Sequence, residues 1–138
     1  MNYRYVLPDG TNGPLDKIFI DNSQVITNMI SSCDDCIEIP ILKDNITGND
    51  IKNVTMLLEY LLKKTDITKE QIDQVVNEEN LHNVEGMIVL SEYCDIEITL
   101  NYLLKYVAEL IRRSGSVENL RKLFETNYKK LKLFGGTK

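Results

Sequence analysis

The sequence predicts an α+β domain in which a small sheet packs on a helical cluster. Three observations predict it. The first 41 residues carry period-two apolar runs broken by Pro and Gly. From Asn49 onward the apolar period changes to about 3.6. The chain has 138 residues, 43% hydrophobic and 27% charged, which suits one soluble globular domain with a core of its own. Strands segregated before helices point to α+β rather than to alternating α/β layers.

The elements follow in order. Tyr3, Tyr5 and Leu7 alternate with Arg4 and Val6 before Pro8-Asp9-Gly10 turns the chain. Thr11-Asn12-Gly13-Pro14 then precedes Ile18-Phe19-Ile20, and the whole reads as a β-hairpin with a loose connection. Asn22 or Ser23 caps a short helix carrying Val25, Ile26, Met29 and Ile30, ending at Ser31-Ser32. Ile37-Glu38-Ile39-Pro40-Ile41 reads as a strand, and Pro40, with no N–H, puts it at an edge or ends it. Ile51, Val54, Leu57, Leu58, Leu61 and Leu62 form one helical stripe, with Lys63-Lys64 favouring its C-terminal end. Thr68-Lys69-Glu70-Gln71 is a capping box opening a helix with Ile72, Val75 and Val76, and polar Asn77 to Asn80 breaks it. A further helix carries Leu81, Val84, Met87, Ile88 and Val89 and reaches Tyr93. The next, from Asp95 to Arg113, is apolar over most of its circumference, with Glu97, Asn101, Lys105 and Glu109 on one narrow polar row. Such a helix is either central in its domain or covered by a partner. Ser114-Gly115-Ser116 ends it, Ser116 caps a last helix with Leu120, Leu123 and Phe124, and the tail around Lys129, Lys130 and Lys132 is basic and apolar.

Chemistry-bearing residues are scarce. Sixteen basic against 21 acidic residues give a formal charge of −5, which does not attract phosphate backbones and disfavours nucleic-acid binding. No apolar run reaches the ~18–20 residues that span a bilayer, so no membrane span is expected. No cleavable signal pattern opens the chain, and an odd count of three cysteines fits a reducing, cytoplasmic or nuclear setting. Cys33-Asp-Asp-Cys36 has the spacing of zinc knuckles and redox motifs, but three thiols and His82 offer no second ligand pair nearby. Adjacent Asp34 and Asp35 raise thiol pKa values rather than activate them. The two thiols therefore read as incidental. No phosphate-binding glycine loop or zinc-protease pattern is present. The expectation is a non-enzyme with no catalytic residue, metal or cofactor. A small enzyme using Asp34, Asp35, His82 or Cys94 is the minor alternative, and it requires a concave pocket gathering them.

The segment Met87-Ile88-Val89-Leu90-Ser91-Glu92-Tyr93-Cys94-Asp95-Ile96 resembles the most recognisable stretch of the S-phase kinase-associated proteins, the SCF adaptors, whose pattern is L-I-x-A-A-N-Y-L-D-I. The similarity runs on through Val107-Ala108-Glu109-Leu110-Ile111 and, one residue out of step, into Glu118-Asn119-Leu120-Arg121-Lys122-Leu123-Phe124. It is strong over 87–124 and weaker over 3–62, where Asp9-Gly10 and the Ser23 to Ile30 helix match the family's first turn and helix.

The resemblance implies a BTB/POZ fold over 1–113 and a C-terminal helical extension and tail over 114–138. It implies a non-catalytic bridge in a ubiquitin ligase, joining a cullin N-terminal domain to an F-box protein. Carried over by position, the cullin-binding residues are Ser91, Glu92 and Tyr93. The F-box-binding residues are Leu100, Leu104, Val107, Ile111, Leu120, Leu123 and Phe124. The chain departs from the family at Leu90-Ser91, where it has two alanines, and at Glu92, where it has asparagine and where a carboxylate repels or re-specifies a partner. The chain has no Trp and no counterpart of the family's acidic final helix. The alternative reading is a divergent BTB/POZ module that self-associates as a homodimer or binds a cullin directly without an F-box partner. By residue type the best interface anchors are Tyr102, Tyr106 and Phe124.

Overall fold

In a computed structural model the chain is α+β, a three-stranded sheet followed by helices. The structure describes residues 2–33, 35, 37–116, 118, 121 and 122. The order is β1 (Tyr3–Val6), β2 (Asn12–Leu15), α1 (Lys17–Asn22), α2 (Gln24–Ser31), β3 (Glu38–Pro40), α3 (Gly48–Leu61), α4 (Lys69–Asp73), a 3₁₀ turn (Glu78–Asn80), α5 (Leu81–Tyr93) and α6 (Glu97–Ser114). The last predicted helix, with Leu120, Leu123, Phe124 and the lysine-rich tail, lies outside the described residues.

The hairpin differs from expectation. Its second strand is Asn12–Leu15, and Ile18-Phe19-Ile20 lies in α1. Asp16 starts that helix, its side chain accepting from the Ile18 N–H at 3.2 Å. Gly13 is in the strand because the Tyr5 ring occupies the space a Cβ would need.

Strand order is β2-β1-β3, with β1 antiparallel to β2 and parallel to β3. Arg4 donates its N–H to the Ile37 carbonyl and Ile41 donates to the Val6 carbonyl, both at 2.9 Å. Arg4 and Val6 therefore face β3, so Pro14, opposite Arg4, points its nitrogen away from β1. On β3 the odd residues face β1, which leaves Glu38 and Pro40 on the outer side. Each outer edge thus has a proline where a strand-adding partner would need a donor.

α2 begins at the cap expected of it, Ser23, whose Oγ accepts the Ile26 N–H at 3.1 Å. α3 opens with a capping box the spacing did not reveal. Thr47 and Asp50 exchange side-chain and backbone bonds at 3.2 and 3.0 Å. The Asp50 carboxylate is buried against Gly86 of α5, where any Cβ would collide with it. Burial pushes its pKa up, opposed by the hydrogen bonds from Thr47 and by His82. The Thr68–Gln71 box opens α4 as expected, but α4 ends at Asp73 and leaves Val75 and Val76 in the turn beyond.

The core gathers Phe19, Ile26, Leu57, Leu58, Met87, Leu90 and Leu103 from both halves of the chain. α5 lies between α3 and α6 and buries Leu81, Val84, Met87, Leu90 and Ser91. Among the described residues no helix is long and apolar enough to cross a membrane.

α3 closes in a Schellman arrangement, with Lys63 N–H on the Tyr60 carbonyl at 3.2 Å and Lys64 N–H on that of Glu59 at 3.0 Å. Lys63 has φ 54°, the left-handed region that costs a side chain with a Cβ of order 1 kcal/mol. Lys63→Gly is expected to stabilise the domain by ~0.5–1 kcal/mol, net of glycine's greater unfolded-state entropy. Urea unfolding should show a higher midpoint at unchanged slope. A lower midpoint would mean that the lysine side chain makes a compensating contact.

Candidate interaction surfaces

The segment carrying the resemblance is the junction between α5 and α6. Asp95 takes φ 54°, and the Asp95 and Ile96 N–H groups bond the Glu92 and Ser91 carbonyls at 3.2 and 2.8 Å. This is a second Schellman turn, with aspartate tolerating the left-handed position and buried Ile96 supplying the apolar contact beyond it. The Tyr-x-Asp-Ile spacing therefore has a structural reason independent of any partner.

Ser91, placed by the resemblance at a partner contact, is fully buried. Its Oγ lies 2.7 Å from the Thr99 Oγ1, and Thr99 also reaches the Ile96 carbonyl at 3.3 Å. Where the family has a small alanine, this chain has a small side chain with a hydroxyl, and a buried hydroxyl needs a partner inside the core. Ser91 is thus corrected from a surface contact to a core tie between α5 and α6.

Glu92 is exposed and Tyr93 half-buried. The Tyr93 hydroxyl accepts the Leu42 N–H at 3.2 Å. That N–H is the next outward-facing donor on the β3 edge after Pro40, so Tyr93 occupies the edge beyond the strand. Leu42 itself is 69% exposed. Leu42 and Tyr93 thus meet at the strand edge, and exposed Glu92 precedes Tyr93 on α5. Sequence reasoning missed Leu42. The period-two alternation contains the signal, because an inward Ile41 leaves residue 42 on the solvent side.

The second surface is on α6. Thr99, Leu103 and Leu110 are buried and set the core face. Leu100, Leu104, Val107 and Ile111 follow at helical spacing beside it. Leu104 is 48% exposed, and the other three are half-buried. The wide apolar face of this helix is therefore neither wholly central nor covered among the described residues. Leu120, Leu123 and Phe124, assigned to the same surface by the resemblance, lie outside those residues.

Tyr102 and Tyr106 are half-buried on the other flank of α6. Burial raises both hydroxyl pKa values, opposed by the charge of Lys69 at Tyr102 and of Arg113 at Tyr106. They sit apart from the Leu104 stripe and do not join it as anchors.

The residues of the enzyme alternative do not come together. His82 is half-buried, Asp35 is exposed and Asp34 lies outside the described residues. Neither the concavity between the sheet and the first two helices nor the one beside the α5–α6 turn is lined by Asp35, His82 or Cys94. Among the described residues no three His, Cys, Asp or Glu side chains group as metal ligands would. Cys33 is disulfide-bonded, which corrects its reading as an incidental thiol, and Cys36 lies outside the described residues. Cys94 is a free thiol buried beneath the α5–α6 turn, and burial pushes its pKa up to about 12. No protein-family model matches the chain.

Cys94 should therefore resist iodoacetamide in the native protein at pH 8, since the thiolate is the nucleophile. Alkylation should proceed at the rate of global unfolding and appear promptly in denaturing urea. Rapid modification of the native chain at Cys94 would show an accessible, activated thiol and revive the enzyme alternative.

Proposed function

We propose that the chain is a BTB/POZ-type, non-catalytic adaptor of an SCF-like ubiquitin ligase. It binds a cullin N-terminal domain through Leu42, Glu92 and Tyr93 and an F-box substrate receptor through the α6 stripe. The observation that carries the reading is the Leu100–Leu104–Val107–Ile111 stripe, apolar and partly open to solvent on a helix anchored by the adjacent Thr99–Leu103–Leu110 face. An apolar stripe of this kind is what an interaction partner covers. The order of strands and helices, the small sheet and the sequence resemblance over 87–124 support the fold part of the reading. Glu92 adds a carboxylate at the cullin-facing surface and selects a partner with a basic group opposite it.

The test is calorimetric titration of the purified chain with a cullin N-terminal domain, with an F-box peptide, and with both. Binding to both at once is the expected outcome. Tyr93→Lys should weaken the cullin by at least ~30-fold, a hot-spot loss of about 2 kcal/mol, and leave the F-box peptide unaffected. Leu104→Glu should do the reverse, and both variants should keep the native circular dichroism spectrum. Binding to the cullin alone would favour the BTB module without an F-box partner. Binding to neither would remove the function.

A further inference from the structure

A furrow lined by other residues is assigned to neither partner. A cavity of about 720 Å³ lies between the sheet and the first two helices. Tyr3, Leu15, Ile20 and Ile30 give it an apolar lining, and Arg4 and Lys17 line it too. A second concavity of about 360 Å³ lies beside the α5–α6 turn and carries Asp95 and Glu97. Asp21 and Thr27 line both, so the two adjoin there: Arg4 and Lys17 lie in the first with its apolar residues, Asp95 and Glu97 lie in the second, and the Asp21 carboxylate stands at the junction. Neither cation is locked away. Lys17 meets Asp21 in a pair 85% and 52% exposed, and Arg4 holds Asn12 through an exposed hydrogen bond of 2.8 Å. Surface pairs of this sort exchange readily for a better partner.

The mode of binding is restricted by the strand that borders the furrow. Pro14 leaves no outward N–H at the middle of the β2 edge, so an extended peptide cannot add to the sheet there. An occupant must be held by its side chains. A helix laying one apolar face into the groove satisfies this with its own backbone already bonded. The charge order fixes its direction. Stable helices place acidic residues in the first turn and basic residues in the last. Such a helix matches the furrow one way round, acidic N-terminal turn at Arg4 and Lys17 and basic C-terminal turn at Asp95 and Glu97.

We infer that the furrow between the β1–β2 hairpin, α1 and α2 is a third docking surface, for an amphipathic helix of a partner protein with an acidic first turn and a basic last turn. This surface shares no residue with the Leu104 stripe or with the Leu42–Tyr93 surface, so it stands or falls independently of the adaptor reading.

The experiment is selection from a displayed library of 16-residue helix-forming peptides, positively on the full chain and negatively on its Ile30→Glu variant. Enriched peptides are expected to carry Asp or Glu in the first turn, apolar residues at i, i+3, i+4 and i+7, and Lys or Arg in the last turn. The best synthetic peptide, measured by fluorescence anisotropy, should lose at least tenfold in affinity on Arg4→Glu. Replacing its first-turn acidic residue with Lys should restore binding to that variant. This charge swap keeps the inference testable if Ile30→Glu fails to fold. No enrichment, enrichment without the stated charge order, or no rescue by the swap would each overturn it. So would a light-scattering dimer dissociated by Arg4→Glu, since a second copy would then occupy the furrow.

Discussion

The rest of the structure depends on the turn that ends α5. Three carbonyls there lie inside the protein or against another element, and each has found a donor. The Cys94 carbonyl accepts the Ser23 hydroxyl at 2.6 Å and the Val25 N–H at 3.4 Å. The Asp95 carbonyl accepts the Gln24 N–H at 3.3 Å, and the Ser91 carbonyl accepts that of Ile96. Ser23 acts twice, since the oxygen that donates to Cys94 also caps α2. One left-handed aspartate therefore fixes the direction of α6, the start of α2 and, through Tyr93 and Leu42, the end of the sheet edge.

The two surfaces proposed to contact partners leave this turn in different directions. Tyr93 precedes it and is tied to the strand side. The α6 stripe follows it and is tied to α5 through the Ser91–Thr99 hydroxyl pair. A bridge works only if its two contact faces keep a constant relation, and a hydrogen-bonded buried junction supplies that more firmly than a loop would. The prolines add a second constraint. With both sheet edges short of a donor, contacts with other chains must come from side chains, and of the exposed apolar ones, Ile37, Leu42, Ile98 and Leu104, two stand where such contacts are proposed.

Much of this was legible in the sequence because it rests on local rules. The Ser23 cap, the Thr68 box, the edge position of Pro40 and the glycine stop of α6 each depend on a residue and its near neighbours. What escaped depends on distant partners. Ile18-Phe19-Ile20 looks like a strand because β-branched and aromatic residues favour one, and the cap at Asp16 together with burial under the rest of the fold decided otherwise. Ser91 was legible as a position in a pattern but not as a buried one, because its partner is eight residues on, on the next helix. Leu42 was hidden for the same reason, its neighbour Tyr93 being 51 residues away. The α6 stripe was legible as an apolar excess, and only the packed structure shows which part of that excess remains at the surface.

Native-state hydrogen exchange tests the role of the turn most directly. The Ile26, Ile96 and Leu103 amides should exchange only through global opening and share one free energy. Ser23→Ala removes both the cap and the buried bond to the Cys94 carbonyl, and it should lower that shared value by about 2 kcal/mol at all three positions. If the substitution released Ile26 alone while Ile96 and Leu103 kept their protection, α2 would be a separately opening unit. The turn would then not be the constraint that holds the molecule together.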